Sequence, residues 1–343
     1  MKKFIKEEPF LIAEISANHN GSLTHAKKLI SMAKKYGANA VKLQTYTPAM
    51  MTIKENVANF KIKKGLWKGY TLWDLYNLGQ TPLEWHKSLF KYAKDKKIKI
   101  FSTPFSEEAV YFLEKLSCPA YKIASFEMND YNLVKVAAKT KKPLILSTGL
   151  SNMKEIEKAV FVAKKNGCKD LTLLYCVSNY PSQSTDFNLN YIQEFKKRFN
   201  CRVGLSDHSL GSEIAKYSLI SGATVFEKHI ALQNQKEGLD LDFSLRGKEL
   251  KVYNDALRQT FQLISDKSFT RSKNELENKI FRRSIYAVKD IKKGDVLSKK
   301  NIRTFRPEKG ISASYYLDIQ NKKSPIDIKK NYPLPKRILN KLL

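Results

Sequence analysis

Apolar and polar positions follow two alternating patterns along most of the chain. Short apolar runs are each followed by a longer run in which apolar residues recur at helical spacing. The predicted strands cover residues 10–16, 40–43, 99–101, 120–123, 143–146, 171–175, 202–205 and 224–226, and the predicted helices cover residues 23–36, 82–96, 107–116, 131–138, 153–165, 191–199, 212–221 and 248–264. Eight strands that alternate with helices over roughly 265 residues predict an α/β fold, a TIM (β/α)8 barrel.

One competing fold has the same alternation. A doubly wound open sheet would need a glycine-rich phosphate turn, and the sequence contains no GxGxxG motif. Residues 46–80 fit neither pattern and are expected to form a long irregular segment. Because Trp67 and Trp73 lie in this segment, we expect it to be ordered, and connections of this length are usually functional or disordered.

Polar side chains crowd the end of the predicted strand at residues 120–123. Lys122, Ser125 and Glu127 place a cation, a hydroxyl and a carboxylate there, which is costly unless something binds them. A solvated loop would explain one such cluster, but all eight strands end in this way. The other strand-end residues are Glu14, Lys42 with Gln44, Thr103, Ser147, Ser178, His208 and His229. In a TIM barrel the active site lies at these ends, so the pattern predicts an enzyme.

Two of these residues, His208 and His229, end the seventh and eighth strands. A lone histidine at a strand end is more often a hydrogen-bonded structural residue. Neighbouring strands lie about 4.8 Å apart, however, so both imidazoles can reach one ion. Imidazole and carboxylate ligands suit Mn, Fe or Zn. The pair therefore predicts a divalent-metal site with open positions.

The chain is strongly basic, with a formal net charge of +29. Its lysines are spread from end to end as pairs, without a motif that reads RNA or DNA, so we expect solvated helix faces and no nucleic-acid partner. Such a positive field would attract an anionic small substrate. No apolar run is long enough to span a bilayer and no signal peptide is recognisable, so we expect a cytoplasmic protein without a membrane partner.

The pattern changes after the last barrel helix. Residues 266–283 are polar and charged and are interpreted as a linker or bridging helix, so the predicted barrel domain covers residues 1–265. Residues 284–343 contain short β-like runs at 285–288, 295–297 and 302–305, broken by glycine and proline. Two segments in this region, IKKGDVL and IKKNYPL, are weak copies of one unit. A β-rich domain of about 60 residues has a marginal core, so it would gain by docking onto the barrel or onto another subunit.

The motifs at the strand ends occur in a recognisable order. IAEISANHNG, VKLQTYTP, FSTPF, AYKIASFE, LSTG, NYP, GLSDHS and EKH together resemble the sialic acid synthase family, which condenses phosphoenolpyruvate with an amino sugar. SIYAVKDIKKGDVLSKKNIRTFRP resembles the SAF (antifreeze-like) domain of that family. The resemblance implies a domain-swapped homodimer in which this domain lies across the partner's barrel mouth.

Within the family, residues 65–86 resemble most the pseudaminic acid synthases, and Ser178 stands where the N-acetylneuraminate enzymes carry asparagine. The implied sugar is 2,4-diacetamido-2,4,6-trideoxy-L-altrose, with a legionaminic acid precursor and N-acetylmannosamine as alternatives. The implied metal is Mn²⁺, with Mg²⁺ or Co²⁺ as alternatives. Two more distant hypotheses fit the same residues. One is a Schiff-base aldolase with Lys122 as nucleophile, and the other is a basic RNA-binding barrel.

The resemblance also implies roles for the strand-end residues. Lys42, Lys122, Thr103, Ser125, Ser147 and Ser178 would form the phosphoenolpyruvate cradle, and His208 and His229 would hold the metal that polarises the sugar aldehyde. Glu14 and Glu127 would orient sugar hydroxyls or the attacking water, with Glu127, beside the lysines, as general acid or base. Gln44, Tyr180 and Asp240 would contact the sugar, and Arg306 would reach its N-acetyl group from the partner subunit.

Overall fold

The computed structural model describes residues 7–265 and 269–343, which form two compact units divided between residues 266 and 267. In the first unit eight parallel strands close into a barrel, because β1 pairs with both β2 and β8. The barrel strands are β1 (Phe10–Glu14), β2 (Ala40–Thr45), β3 (Lys99–Pro104), β4 (Tyr121–Ile123), β5 (Leu144–Ser147), β6 (Leu171–Cys176), β7 (Arg202–Asp207) and β8 (Val225–Ala231). The predicted TIM barrel is therefore confirmed.

Amphipathic helices cover the outside of this barrel. They are α1 (Leu23–Lys35), α4 (Leu83–Asp95), α5 (Glu107–Lys115), α6 (Tyr131–Lys139), α7 (Met153–Lys165), α8 (Asn190–Phe199), α9 (Glu213–Ile220) and α10 (Glu249–Ile264). Several begin at a residue that caps the free backbone N–H groups, such as Ser22 before α1 and Asn152, in a capping box with Glu155, before α7. Their apolar faces pack on the outward-facing residues of the strands in one continuous core.

The sequence places the ends of several strands too early. Strand β8 was expected to end at Phe226, yet it runs to Ala231 and pairs with β1 up to the partners Glu14 and His229. A short strand, β9 (Leu245–Arg246), pairs with its last residues. Ionisable residues normally mark the end of a buried strand. Here they continue the strand because their side chains face one another inside the barrel.

The segment at residues 46–80 is not wholly irregular, which corrects the prediction. It contains α2 (Pro48–Met51) and α3 (Leu72–Gly79), and Thr71 caps α3 by accepting a hydrogen bond from the Asp74 backbone N–H. Trp67 donates a hydrogen bond of 2.9 Å from its indole nitrogen to the Leu239 carbonyl, in the loop that follows β8. The segment is thus fastened to a second loop at the same end of the barrel.

The second unit is built around a small antiparallel pair. Its elements are α11 (Lys273–Glu277), β10 (Ser284–Ala287), β11 (Ile302–Phe305), α12 (Tyr316–Ile319) and α13 (Leu339–Leu342). Residues 295–297 do not form a strand, because only Val296 makes an isolated bridge, to Lys323. A separate core of buried aliphatic side chains fills the unit.

The two similar segments of the second unit face each other as DIKK copies, Asp290–Lys293 and Asp327–Lys330. Ile291 and Ile328 exchange both backbone hydrogen bonds at 2.8 Å. Asp327 accepts a hydrogen bond from the Lys293 backbone N–H, and Asp290 accepts the equivalent bond from Lys330, both at 2.8 Å. The copies are therefore related by an approximate two-fold axis. Within the described part of the chain, no helix is both long and apolar enough to cross a membrane.

Candidate active site

Four charged side chains meet inside the barrel near the carboxyl ends of its strands. The Lys42 ammonium contacts Glu14 and lies 3.8 Å from Glu227 Oε2, and Lys122 Nζ lies 3.5 Å from Glu227 Oε1. All four residues are at most 4% exposed. Two lysines and two glutamates balance in formal charge, which offsets part of the cost of burying them.

The pKa values in this group differ because the contacts differ. Burial raises the pKa of Glu14, and Lys42 opposes this rise only in part. Burial acts in the same direction on Glu227, but Lys122 and Lys42 outweigh it and lower its pKa. Burial lowers the pKa of Lys122, whereas Glu14 and Glu227 raise that of Lys42. Glu227 is therefore the carboxylate of this group that contacts both lysines, whereas Glu14 contacts Lys42.

Hydroxyl groups and one glycine surround the lysines. Lys42 Nζ donates to Thr103 Oγ1 at 2.8 Å, and the Gly149 backbone N–H donates to Ser125 Oγ at 3.1 Å. A Cβ atom at position 149 would clash with Ser178 Oγ and lie 2.7 Å from Ser125 Oγ, so this close approach requires glycine. Ser147 Oγ is buried without a hydrogen-bond partner among the described residues. A hydroxyl that lines the same cavity as two lysines is suited to an anionic ligand.

The two histidines lie side by side, with ring centroids 5.5 Å apart, and Phe243 packs against both rings. The Val177 carbonyl lies 3.0 Å from His208 Nδ1 and can only accept, so Nδ1 carries a proton, and in the neutral ring Nε2 keeps its lone pair. Burial lowers the pKa of His208, but the neighbouring Cys176 outweighs burial and raises it. His229 Nδ1 is buried and has no hydrogen-bond partner within the described part of the chain, and it lies 3.7 Å from Asp240 Oδ2. Burial lowers the pKa of His229 well below its usual value and keeps the ring neutral, the form that binds metals.

Polar groups continue from the histidines toward the loop after β8. Asp240 Oδ2 accepts a hydrogen bond of 2.5 Å from Ser16 Oγ, which in turn accepts one of 2.9 Å from the Gln44 amide. The centroid of the Tyr180 ring lies 4.4 Å from that of His208 and 5.6 Å from that of Trp67. Asp240, Ser16 and Gln44 thus form a polar part of the site, and the rings of Tyr180 and Trp67 form an aromatic part.

Glu127 follows β4, which lies on the opposite side of the barrel from β8 and His229. Burial raises its pKa to about 7, and Lys122 opposes this rise only in part. Its Oε2 atom is buried without a hydrogen-bond partner in the described chain. A carboxyl group with a pKa near neutrality can give or take a proton at physiological pH.

A cavity of about 380 Å³ joins these groups. The predicted site residues that line it are Lys42, Gln44, Lys122, Ser125, Glu127, Ser147, Tyr180, His208, His229 and Asp240. Glu14 and Thr103 lie behind Lys42 and hold its ammonium, and Ser178 lies behind Gly149. Arg306 belongs to the second unit, where it follows β11 and is exposed.

Several lining residues have no role predicted from the sequence, and the most closely connected to the site are Glu227, Ser206, Ser16 and Phe243. Ser206 Oγ donates to Glu227 Oε1 at 3.1 Å. Strand alternation could have found both, because Glu227 lies two residues before His229, and Ser206 two before His208, on the same faces. The same spacing holds for Ser16, two residues after Glu14, although the structure places it in a short 3-10 helix after β1. No such signal exists for Phe243, which lies in a 3-10 helix after β8.

Buried lysines, carboxylates and histidines around a cavity at the mouth of a (β/α)8 barrel define an enzyme of the TIM-barrel class. The chain belongs to the NeuB family, whose model matches residues 29–269, and residues 282–337 match the SAF domain. The chain is 44% identical to a pseudaminic acid synthase from Campylobacter jejuni, over 93% of each chain. It is 38% identical to an N,N'-diacetyllegionaminic acid synthase from the same organism, over 92% of this chain and 96% of the relative.

A solved structure agrees with this assignment. The N-acetylneuraminic acid synthetase of Leptospira borgpetersenii, crystallised with citrate, is 28% identical and matches with a TM-score of 0.71 over 81% of this chain and 96% of its own.

Proposed function

We propose that this protein condenses phosphoenolpyruvate with an open-chain amino sugar and releases a nine-carbon nonulosonic acid and inorganic phosphate. The observation that carries the proposal is the single cavity in which Lys42 and Lys122, beside an unpaired Ser147 hydroxyl, face the His208 and His229 pair. One end suits a multiply charged anion and the other a carbonyl-binding ion. The names of the relatives at 44% and 38% identity support the same reaction.

In the proposed reaction C3 of the enol attacks the aldehyde carbon of the sugar, and a new C–C bond forms. Water adds to C2, which has gained cationic character, and the bond between C2 and the phosphate oxygen then breaks. The aldehyde oxygen gains one proton and the water loses one as it adds. The C2 hydroxyl then gives its proton to the departing phosphate, which leaves a ketone at C2. The lysines and the serine hydroxyls bind the carboxylate and phosphate, and Glu127, with its pKa of about 7, transfers a proton at neutral pH.

A divalent metal fits the histidine pair. Two ring nitrogens are available as ligands for one ion. They are Nδ1 of His229, which has no hydrogen-bond partner in the described chain, and Nε2 of the neutral His208 ring. No group of three or more His, Cys, Asp or Glu residues within residues 7–265 and 269–343 is arranged to hold a metal, so substrate or water would complete the coordination. When bound there, Mn²⁺, or Mg²⁺ or Co²⁺, would polarise the aldehyde oxygen as a Lewis acid.

The sugar is 2,4-diacetamido-2,4,6-trideoxy-L-altrose. One wall of the cavity is apolar, with Met51, Ile62, Trp67, Leu72 and Leu75 from residues 46–80. Such a wall favours the C6 methyl and the second acetyl group of this sugar, whereas N-acetylmannosamine would bury hydroxyls there at a cost. A legionaminic acid precursor carries the same apolar groups and remains the alternative.

The second unit completes the site in a domain-swapped homodimer, with Arg306 acting on the partner's barrel. Its small core and its exposed arginine support this arrangement. Mixing an Arg306→Ala subunit with a Glu127→Gln subunit tests it, because only action in trans leaves one complete site in the mixed dimer. Activity should reappear after subunit exchange. Inactive mixed dimers, with exchange verified, would mean that Arg306 serves its own barrel.

One assay tests the reaction and the sugar. Purified protein is incubated with phosphoenolpyruvate, Mn²⁺ and each of the three sugars in turn, and phosphate release is measured. The altrose derivative should give the highest kcat/KM, and no turnover with any of the three would contradict the proposal. Borohydride trapping in the same mixtures tests the Schiff-base alternative, in which Lys122 would become covalently labelled.

A further inference from the structure

A second buried ion pair lies directly behind the histidines, on the outward faces of β7 and β8. Asp207 and Lys228 are register partners on these strands, and Lys228 Nζ lies 3.5 Å from Asp207 Oδ2. Both side chains are completely buried. Each residue immediately precedes one histidine, since Asp207 is followed by His208 and Lys228 by His229.

The pair is part of a closed hydrogen-bond network that ends on the backbone beside His208. Asp207 Oδ1 accepts from the Ser209 backbone N–H at 2.9 Å and from its hydroxyl at 2.6 Å. Lys228 donates to the Ser209 carbonyl, and Tyr253, on α10, donates its hydroxyl to Asp207 Oδ2 at 2.8 Å. The turn over residues 207–209 therefore encloses His208 and is tied both to β8 and to a helix.

The energetics of a buried ion pair indicate a positional role for this network. A buried ion pair is often no more stabilising than apolar side chains of similar volume, because desolvation offsets the attraction between the charges. None of these four residues lines the cavity, so they do not contact the substrate directly. What the network does fix is the alignment of two neighbouring strand ends, and that alignment sets the distance between the two imidazoles.

We infer that Asp207, Lys228, Ser209 and Tyr253 position His208 and His229 so that both rings can bind one divalent ion. The inference rests on the proposed function, which assigns the ion to these histidines. Metal ligation tolerates deviations of only about 0.2 Å, so a small shift between the strands would weaken binding without unfolding the barrel. These are positioning residues, since they act through the histidines.

The test replaces the whole ion pair. Asp207→Leu with Lys228→Met removes both charges together and leaves no unpaired ion. Because the Ser209 and Tyr253 donors lose their acceptor, the double variant is expected to stay folded with a lowered thermal midpoint. Mn²⁺ binding to the full-length protein is measured by titration calorimetry, without substrates. We expect the dissociation constant to rise at least about tenfold, as for other residues that orient metal ligands. A folded double variant with unchanged Mn²⁺ affinity would overturn the inference.

A milder variant covers the case in which the double variant does not fold. Tyr253→Phe removes only the tyrosine hydroxyl that donates to Asp207, and it should weaken Mn²⁺ binding several-fold. Its matched control is Tyr121→Phe, which deletes a tyrosine hydroxyl that donates to a carboxylate, Glu114, elsewhere on the barrel. The control should bind Mn²⁺ like the wild type, and equal effects of the two substitutions would also overturn the inference. If the wild type itself binds no Mn²⁺, the metal assignment under the proposed function is wrong.

Discussion

Replacing Glu227 by glutamine tests whether this carboxylate holds the two lysines charged inside the barrel. With an effective dielectric constant of about 20, a charge pair at the observed 3.5 Å is worth about 5 kcal/mol and one at 3.8 Å about 4 kcal/mol. The substitution also removes the cost of burying Glu227 itself. Breaking a buried pair on one side typically costs a net 3–5 kcal/mol, and we expect a loss in that range.

The assay is thermal unfolding of the barrel at pH 7, with and without phosphoenolpyruvate. A loss of about 3 kcal/mol lowers the midpoint by roughly 6 °C or more for a unit of this size. Phosphoenolpyruvate brings negative charge to the same lysines, so it should raise the midpoint more in the variant than in the wild type. The control is Glu157→Gln, which breaks an exposed pair with Arg198 and should leave the midpoint essentially unchanged.

Two results would refute the reasoning. If the ligand-free Glu227→Gln protein were within about 1 kcal/mol of the wild type, the lysines would not depend on Glu227 for their charge. If phosphoenolpyruvate stabilised both proteins equally, its charge would not lie near Lys42 and Lys122.

Four further outcomes are expected. Glu127→Gln should bind both substrates but turn over at least about a hundredfold more slowly, and a rate within a few-fold of the wild type would make Glu127 structural. The pKa of Glu127 is about 7 in the folded protein, above its ordinary value of 4.5. The protonated side chain therefore contributes stability that is fully present below pH 4.5 and is lost as the pH rises through 7. In unfolding measured against pH, the Glu127→Gln variant should not show this loss of stability. Lys122→Ala and Ser147→Ala should raise the KM for phosphoenolpyruvate more than the KM for the sugar, and equal effects would show that both are misassigned. Excess EDTA should abolish turnover and Mn²⁺ should restore it, whereas full activity in EDTA would contradict metal ligation by His208 and His229.

The sequence predicts the barrel well because strand and helix periodicity are local signals. The residues at strand ends could also be found, since they follow apolar runs that are easy to recognise. The role of Glu227 was missed because it depends on which lysines face it across the barrel, and that depends on the register of strands far apart in sequence. The helix α3 was missed because aromatic residues around it conceal its periodicity, although Thr71 and Asp74 carry a capping signal.

The two DIKK copies of the second unit have a consequence for how that unit can be assembled. Each copy supplies the aspartate that the other copy's backbone needs, and the buried aliphatic residues are shared between the parts of the chain that contain the copies. A fragment that contains only one copy lacks the aspartate that accepts from its lysine backbone N–H, so it is not expected to be stable alone. A peptide bond broken at an exposed position between the copies, such as that between Lys299 and Lys300, should therefore leave two fragments that recognise each other and reassemble.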